Sequence, residues 1–245
     1  MLAALRRPKW LIAGLVILAL AALFIRLGIW QLDRFEERRL QNATGQSRFE
    51  AEPVDLKSLL AESQDLETIR YRRVVLRGTW DLSEEVLIRS QVHLGMAGFH
   101  VVTPLVIDDD LAVLVNRGWV PLNMDQPPVS AEPDRGEVEV EGWVQLTQTR
   151  PALGPEDPPG ERTVLSRIDI GRIVEQTQHG LAPVYVVELG ERGGDLPVPV
   201  QPPDFTDQGP HLGYAFQWFG FAVIVVVGFY FLLRRNGVSR DRPRD

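Results

Sequence analysis

The stretch His211-Leu212-Gly213-Tyr214-Ala215-Phe216-Gln217-Trp218-Phe219-Gly220 comes closest to a ligand site by residue type and spacing. At ~100° per residue on a helix, Trp218 falls within ~20° of His211 and Tyr214 within ~60°. One imidazole therefore shares a face with two aromatic rings. Neutral imidazole ligates haem iron through one ring nitrogen, which makes His211 a candidate axial ligand and Tyr214 and Trp218 candidate walls for a porphyrin. The same trio also suits a plain interfacial anchor, because Trp and Tyr mark membrane–water boundaries without binding anything.

A second cluster, Gly28-Ile29-Trp30-Gln31-Leu32-Asp33-Arg34, carries polar residues at the end of an apolar run. Trp30 fits an interface anchor, and Arg26 with Arg34 makes a positive rim able to neutralise haem propionates. Alternatively the two arginines only snorkel or pair with Asp33 and Glu37. The third cluster is Val113-Leu114-Val115-Asn116-Arg117-Gly118-Trp119-Val120-Pro121. Here Asn116 and Gly118 read as structural, Gly118 as a bulge, and Arg117 as the member able to reach a partner.

Other chemistry finds little support. His93, His100 and His179 stand alone, and no His-x-x-His, Gly-x-Ser-x-Gly, Walker or Rossmann glycine pattern occurs. No catalytic set emerges, so an enzyme is not expected. With no cysteine, disulfides, thiolate metal sites and covalent haem attachment are excluded together.

The elements that must position these clusters begin with two apolar runs. Residues 212–233 form 22 uncharged residues, about 33 Å as a helix, enough for a hydrocarbon core of ~30 Å. Residues 10–30 form the other run, interrupted by Arg26, which reaches full length if Arg26 snorkels. A cleaved signal peptide, cut near Ala19-Leu20-Ala21, is the alternative for this segment. Arg6, Arg7 and Lys9 precede the first run, and Arg234 and Arg235 close the second. Lys and Arg beside a span hold that end in the cytoplasm. The expected order is a cytoplasmic N-terminus over 1–9, spans over 10–30 and 211–233, an external domain over 31–210, and a cytoplasmic tail over 234–245.

Gly14, Ala21 and Gly28 recur every seven residues and make a small-residue stripe, which lets helices approach closely in lipid. Gly213 and Gly220 are its expected counterpart in the second span, an arrangement that turns the His211 face away from the first. The chain's net charge is −7, although residues 1–29 hold four basic and no acidic side chains and residues 211–245 five basic against two acidic. The intervening domain is thus strongly acidic, which does not suit nucleic acid.

Within that domain, residues 69–80, 85–88, 98–107, 111–120, 137–146 and 183–189 carry strand signals. Asp108-Asp109-Asp110 reads as a hairpin turn. Short helices are expected over 55–60, capped by Asp55, and over 169–178, stopped by Gly180. Pro-rich stretches at 127–133, 151–159 and 197–203 read as loops. The fold class is a two-span helical hairpin membrane protein with an external, mainly antiparallel α+β domain, curled towards a partial barrel.

Five strings together resemble the Surfeit locus protein 1 family of cytochrome c oxidase assembly factors, in its bacterial form. They are Gly28-x-Trp30-Gln31-x-x-Arg34, Tyr71-Arg72-x-Val74-x-x-x-Gly78, Val101-Val102-Thr103-Pro104, Val113-x-Val115-Asn116-Arg117-Gly118-Trp119-Val120-Pro121, and His211-Leu212-x-Tyr214-Ala215-x-x-Trp218-Phe219. The resemblance implies help with inserting haem a, or alternatively haem o, into the oxidase. It implies His211 as the haem ligand, and subunit I or its assembly intermediate, and haem a synthase, as partners. It places the chain in the bacterial cytoplasmic membrane with its main domain on the outer face. A scaffold that stabilises an oxidase intermediate without touching cofactor is the alternative.

Overall fold

A computed structural model describes residues 8–129, 136–152, 157–190 and 195–238. Arg6, Arg7, the tail from Arg240 and parts of the first two Pro-rich loops lie outside the described residues. The chain divides into a helical unit, built from the two ends up to Thr44 and from Phe205, and a β unit over Gly45–Asp204.

The helical unit contains most of α1 (Pro8–Glu50) and all of α4 (His211–Val238). No helix breaker follows Trp30, so α1 continues well beyond its apolar run; its 43 residues span about 65 Å. Both helices are long and apolar enough to cross a membrane. They pack antiparallel: Trp10 meets Phe229 with ring centroids 6.3 Å apart, and Phe24 stacks on Trp218 at 5.7 Å.

The seam follows a seven-residue repeat on both helices. On α1 it carries Gly14, Ile17, Ala21, Phe24, Gly28, Gln31 and Phe35; on α4, His211, Ala215, Trp218, Ala222, Val225 and Phe229. At Gly14 and Gly28 a large side chain of α4 faces a small residue of α1, while Phe24 and Trp218 stack ring on ring. The Gly14–Ala21–Gly28 stripe does face α4. Gly213 and Gly220 do not face α1: a Cβ on either would meet nothing within 4 Å. The expected glycine-to-glycine seam is therefore replaced by Phe219 over Gly28 and Phe229 over Gly14, which bury aromatic area that two glycine faces would leave empty.

A Cβ at Gly28 would lie 2.5 Å from the Phe219 ring, while one at Gly14 would sit 3.6 Å from Phe229. Gly28→Leu is accordingly expected to destabilise the helix pair by about 1–3 kcal/mol. Gly14→Ala should be close to neutral. Thermal unfolding of the detergent-solubilised chain checks both.

The β unit comprises β1 (Val54–Asp55), α2 (Leu56–Glu62), β2 (Arg73–Trp80), β3 (Val86–His93), β4 (Met96–Asp108), β5 (Leu111–Pro121), β6 (Val138–Leu146), β7 (Val164–Leu165), α3 (Ile170–Ile173) and β8 (Gly180–Glu188). Strand order is β1-β2-β6-β8-β5-β4-β3-β7, and β2 also pairs with β4. That last pairing, Thr79 to Val106 and Trp80 to Leu105, closes β2-β6-β8-β5-β4 into a ring. The curling expected from the sequence is thus completed into a barrel. Gly78 stands at the closure, where a Cβ would lie 2.2 Å from the Val106 carbonyl oxygen.

Most pairings are antiparallel, including the β4–β5 hairpin around Asp108–Asp110. The β5–β8 pair is parallel. Val74, Leu76, Leu105, Val113, Val115, Val140, Val144, Val184 and Val186 fill one core. Trp143, Leu114, Val102, Tyr185 and Val187, on the other face, are covered by Leu165, Ile168, Ile170 and Ile173. Buried on both faces, β5 reads as an apolar run from Leu111 to Val115, broken only where Asn116 and Arg117 enter the strand.

Asp55 caps α2 by accepting from Ser58 N at 2.9 Å, as expected. Asp169 caps α3, but α3 ends at Ile173 rather than near Gln178. Gly180 opens β8 instead of stopping a helix, because residues from 180 join the free edge of β5. Pro104 and Pro183 sit inside strands at places where the ladder lapses. Pro104 lies where β4 passes from β3 to β2, and Pro183 at the irregularity between Ala112 and Leu114.

Candidate functional site

His211 begins α4, and Tyr214 N donates to Pro210 O at 3.1 Å in its first turn. The imidazole is half-buried and lies on the inner face of the helix, with Nδ1 2.9 Å from Gln31 Oε1. The expectation that this face turns away from α1 is overturned. The cause is the seam itself: the heptad that seats Ala215 and Ala222 against α1 necessarily carries His211 with it.

Trp218 shares that inner face. It is stacked on Phe24 and edge-on to Phe221 at 5.8 Å, so its ring is committed to packing. Tyr214 is 48% exposed and points away from the seam. Arg26 is exposed. Arg34 pairs with Glu37 at 2.6 Å and lies over Trp30, 5.9 Å from its centroid. The structure joins His211 to Gln31, places Trp218 two turns further along the same seam against Phe24, and leaves Tyr214, Arg26 and Arg34 exposed. Gln31 is only 9% exposed. Its place was readable as the polar member, three residues after Gly28, of the small-residue stripe.

Comparison with known proteins bears directly on this arrangement. The SURF1 family model matches residues 18–223. The chain belongs to the SURF1 family. An uncharacterized SURF1-like protein of Mycobacterium bovis is 32% identical over 247 residues, covering 99% of this chain and 90% of its own length. A SURF1-like protein of Rickettsia felis is 27% identical, with 92% and 98% covered. Surfeit locus protein 1 of Arabidopsis thaliana is 34% identical over 126 residues, covering 47% of this chain and 35% of its own. The SURF1 family is known generally as cytochrome oxidase assembly factors rather than catalysts.

The SURF1 string around Asn116 has a clear structural place. Val102 pairs with Asn116 and Val101 with Gly118, which leaves Arg117 as the extra residue of a bulge. Asn116 Oδ1 accepts from Gly118 N at 3.1 Å and its amide nitrogen meets His100 Nδ1 at 3.1 Å. Arg117, read as reaching for a partner, is instead 5% exposed. Its guanidinium lies 4.7 Å from the Trp80 ring centroid and 3.8 Å from Glu85 Oε2. The bulge turns it inward, and the buried carboxylate of Glu85 gives it a counter-charge.

His100 is largely buried, and desolvation lowers its pKa from 6.5 to about 4. The unfolded chain therefore binds a proton below about pH 6.5 that the folded chain refuses until about pH 4. Stability falls as pH drops through that window, by up to about 3 kcal/mol. Urea unfolding at pH 7 and pH 4.5 should show the loss in wild type and a smaller one in His100→Gln.

Asp81, Glu84 and His179 also converge. All four carboxylate oxygens are already engaged, by Ser83, His179, Thr177 and Gln178. Burial pushes the Asp81 carboxyl up, but the hydrogen bonds from Ser83 and His179 outweigh it and hold it low. The group latches the β2–β3 turn to the segment entering β8.

Proposed function

We propose that this chain crosses a bacterial cytoplasmic membrane twice, with both ends inside and the β unit outside. There it assists entry of haem a, or haem o, into the catalytic subunit of cytochrome c oxidase. Subunit I or its assembly intermediate, and haem a synthase, are the partners this reading expects. The observation that carries it is His211, an imidazole at the head of α4 whose Nδ1 is held by Gln31. A metal-ligating histidine characteristically gives its other ring nitrogen to such an acceptor. The donor set therefore fits haem: Nε2 of His211 would hold the iron, Tyr214 offers an exposed aromatic face, and Arg26 and Arg34 are exposed cations for propionates. A bound haem would supply an iron able to accept a nitrogen ligand.

Purification of the full chain from a haem a-producing host tests the reading. Wild type should show a haem absorption spectrum, and His211→Ala should lose most of it. Absence of haem in wild type, or equal haem in His211→Ala, would sink it.

One observation favours a second reading, a scaffold that stabilises an oxidase intermediate without cofactor. His211 and Trp218 both serve the seam between α1 and α4. A scaffold predicts normal oxidase assembly with His211→Ala but defective assembly with Gly28→Leu or Arg117→Ala.

A further inference from the structure

We infer that Gln31 is a positioning residue that locks His211 with its proton on Nδ1, and that Gly209 keeps open the space beside Nε2. Only the identity of what Nε2 meets rests on the haem reading above. Gln31 Oε1 stands 2.9 Å from Nδ1. A carbonyl oxygen can only accept, so Nδ1 carries the hydrogen and, in the neutral ring, Nε2 keeps the lone pair. Gln31 is nearly buried on the seam, which restricts its side chain to that contact.

Gly209 precedes the helix with φ +69, in the left-handed region that favours glycine. A Cβ there would stand 3.3 Å from His211 Cδ2 and 3.5 Å from Nε2. A side chain at this position would therefore press on Cδ2 and take up the space beside Nε2 in ordinary contact. The turn is itself tied down. Gly209 N donates to Asp207 Oδ1 at 2.8 Å, and Asn42 Nδ2 of α1 donates to Asp207 O at 2.8 Å. Thus α1 holds both the ring, through Gln31, and the turn beside it, through Asn42.

His100 shows the opposite arrangement in the same chain. Asn116 uses its oxygen on Gly118 N, so its amide nitrogen donates to His100 Nδ1, and that ring carries its proton on Nε2. Two side-chain amides thus set two imidazoles in opposite tautomers. His100 is turned inward with its Nδ1 occupied as acceptor, whereas His211 keeps the Nε2 lone pair for a ligand.

The test uses the full chain in detergent, labelled with 15N-histidine, with His211→Ala assigning the resonance. Wild type and Gln31→Glu should show the Nδ1–H form, and Gln31→Leu should show a mixture of both forms. Haem titrated into the same samples should bind at least about tenfold more weakly to Gln31→Leu, with affinity restored in Gln31→Glu. Gly209→Ala should weaken haem binding while leaving the tautomer of His211 unchanged. A proton on Nε2 in wild type, or an unchanged tautomer in Gln31→Leu, would overturn the lock even if haem binds. Unchanged haem affinity in Gly209→Ala would remove Gly209 from the proposal. If wild type takes up no haem while the tautomer responds to Gln31→Leu, the haem reading fails and the lock stands.

Discussion

Glu85→Ala is expected to destabilise the β unit by about 3–5 kcal/mol, the usual cost of stripping one partner from a buried ion pair. The Glu85 side chain has no solvent exposure and that of Arg117 only 5%. Glu85 Oε2 accepts from Thr103 Oγ1 at 2.8 Å, and Oε1 accepts from Val129 N at 2.8 Å. Removing the carboxylate leaves a guanidinium, a hydroxyl and a backbone N–H without that acceptor in a region closed to water. Thermal unfolding should show a midpoint lower by on the order of 10 °C. Glu85→Gln keeps an acceptor for Val129 N but loses the charge, and should fall between wild type and alanine. A midpoint within 2 °C of wild type for Glu85→Ala, on the scale of ~2–4 °C per kcal/mol, would show that the pair carries no stability.

Gly118→Ala has the other large expected effect. Gly118 adopts φ +129, and a Cβ would lie 2.3 Å from the backbone oxygen of Val198. That oxygen accepts from Trp119 N at 2.7 Å, and Val198 N returns a bond to Trp119 O at 2.8 Å. The neighbour is backbone, so it cannot swing aside as a side-chain tip would. The strained dihedral alone costs ~1–3 kcal/mol, and the overlap adds the loss of both connector bonds. The variant should unfold at least as readily as Glu85→Ala, and amide exchange at Trp119 and Val198 should rise even under conditions where the barrel persists. Protected amides at those two positions would count against this account.

Legibility in the sequence followed the range of the forces involved. Val113, Val115 and their neighbours announce β5 because β-branched residues suit a pleated, buried surface, and Asp108–Asp110 announces its hairpin. Asp55 and Asp169 announce helix starts through a local hydrogen bond. The end of α3 was not readable, because residues after Ile173 yield to β8, whose partner β5 lies some seventy positions upstream. The stretch containing His93 looks like a loop around Gly95, yet β3 and β4 extend to a two-residue turn at Leu94 and Gly95, both with positive φ. At the candidate site, the heptad of Gly14, Ala21 and Gly28 correctly marked the inner side of α1. The inner side of α4 is not legible from Gly213 and Gly220, because glycine on a helix marks either close approach or mere absence of packing. Only the partner's side chains decide, and Phe219 over Gly28 decided for the His211 face. Arg117 shows the same limit. Arginine is rarely buried unless paired, and its partner Glu85 lies on another strand's threshold, invisible to local pattern.

The place of β8 has a consequence for how the chain acquires its shape. It is inserted between β5 and β6, parallel to one and antiparallel to the other. Every other member of the barrel ring precedes it in order of synthesis. Until residue 188 has left the ribosome, both of those strands present unpaired N–H and C=O groups along largely apolar faces, the condition that invites association with other chains. A nascent chain halted before Gly180 is left with an open slot and no means of sealing it, so a premature stop in this stretch yields sticky polypeptide rather than a smaller working protein.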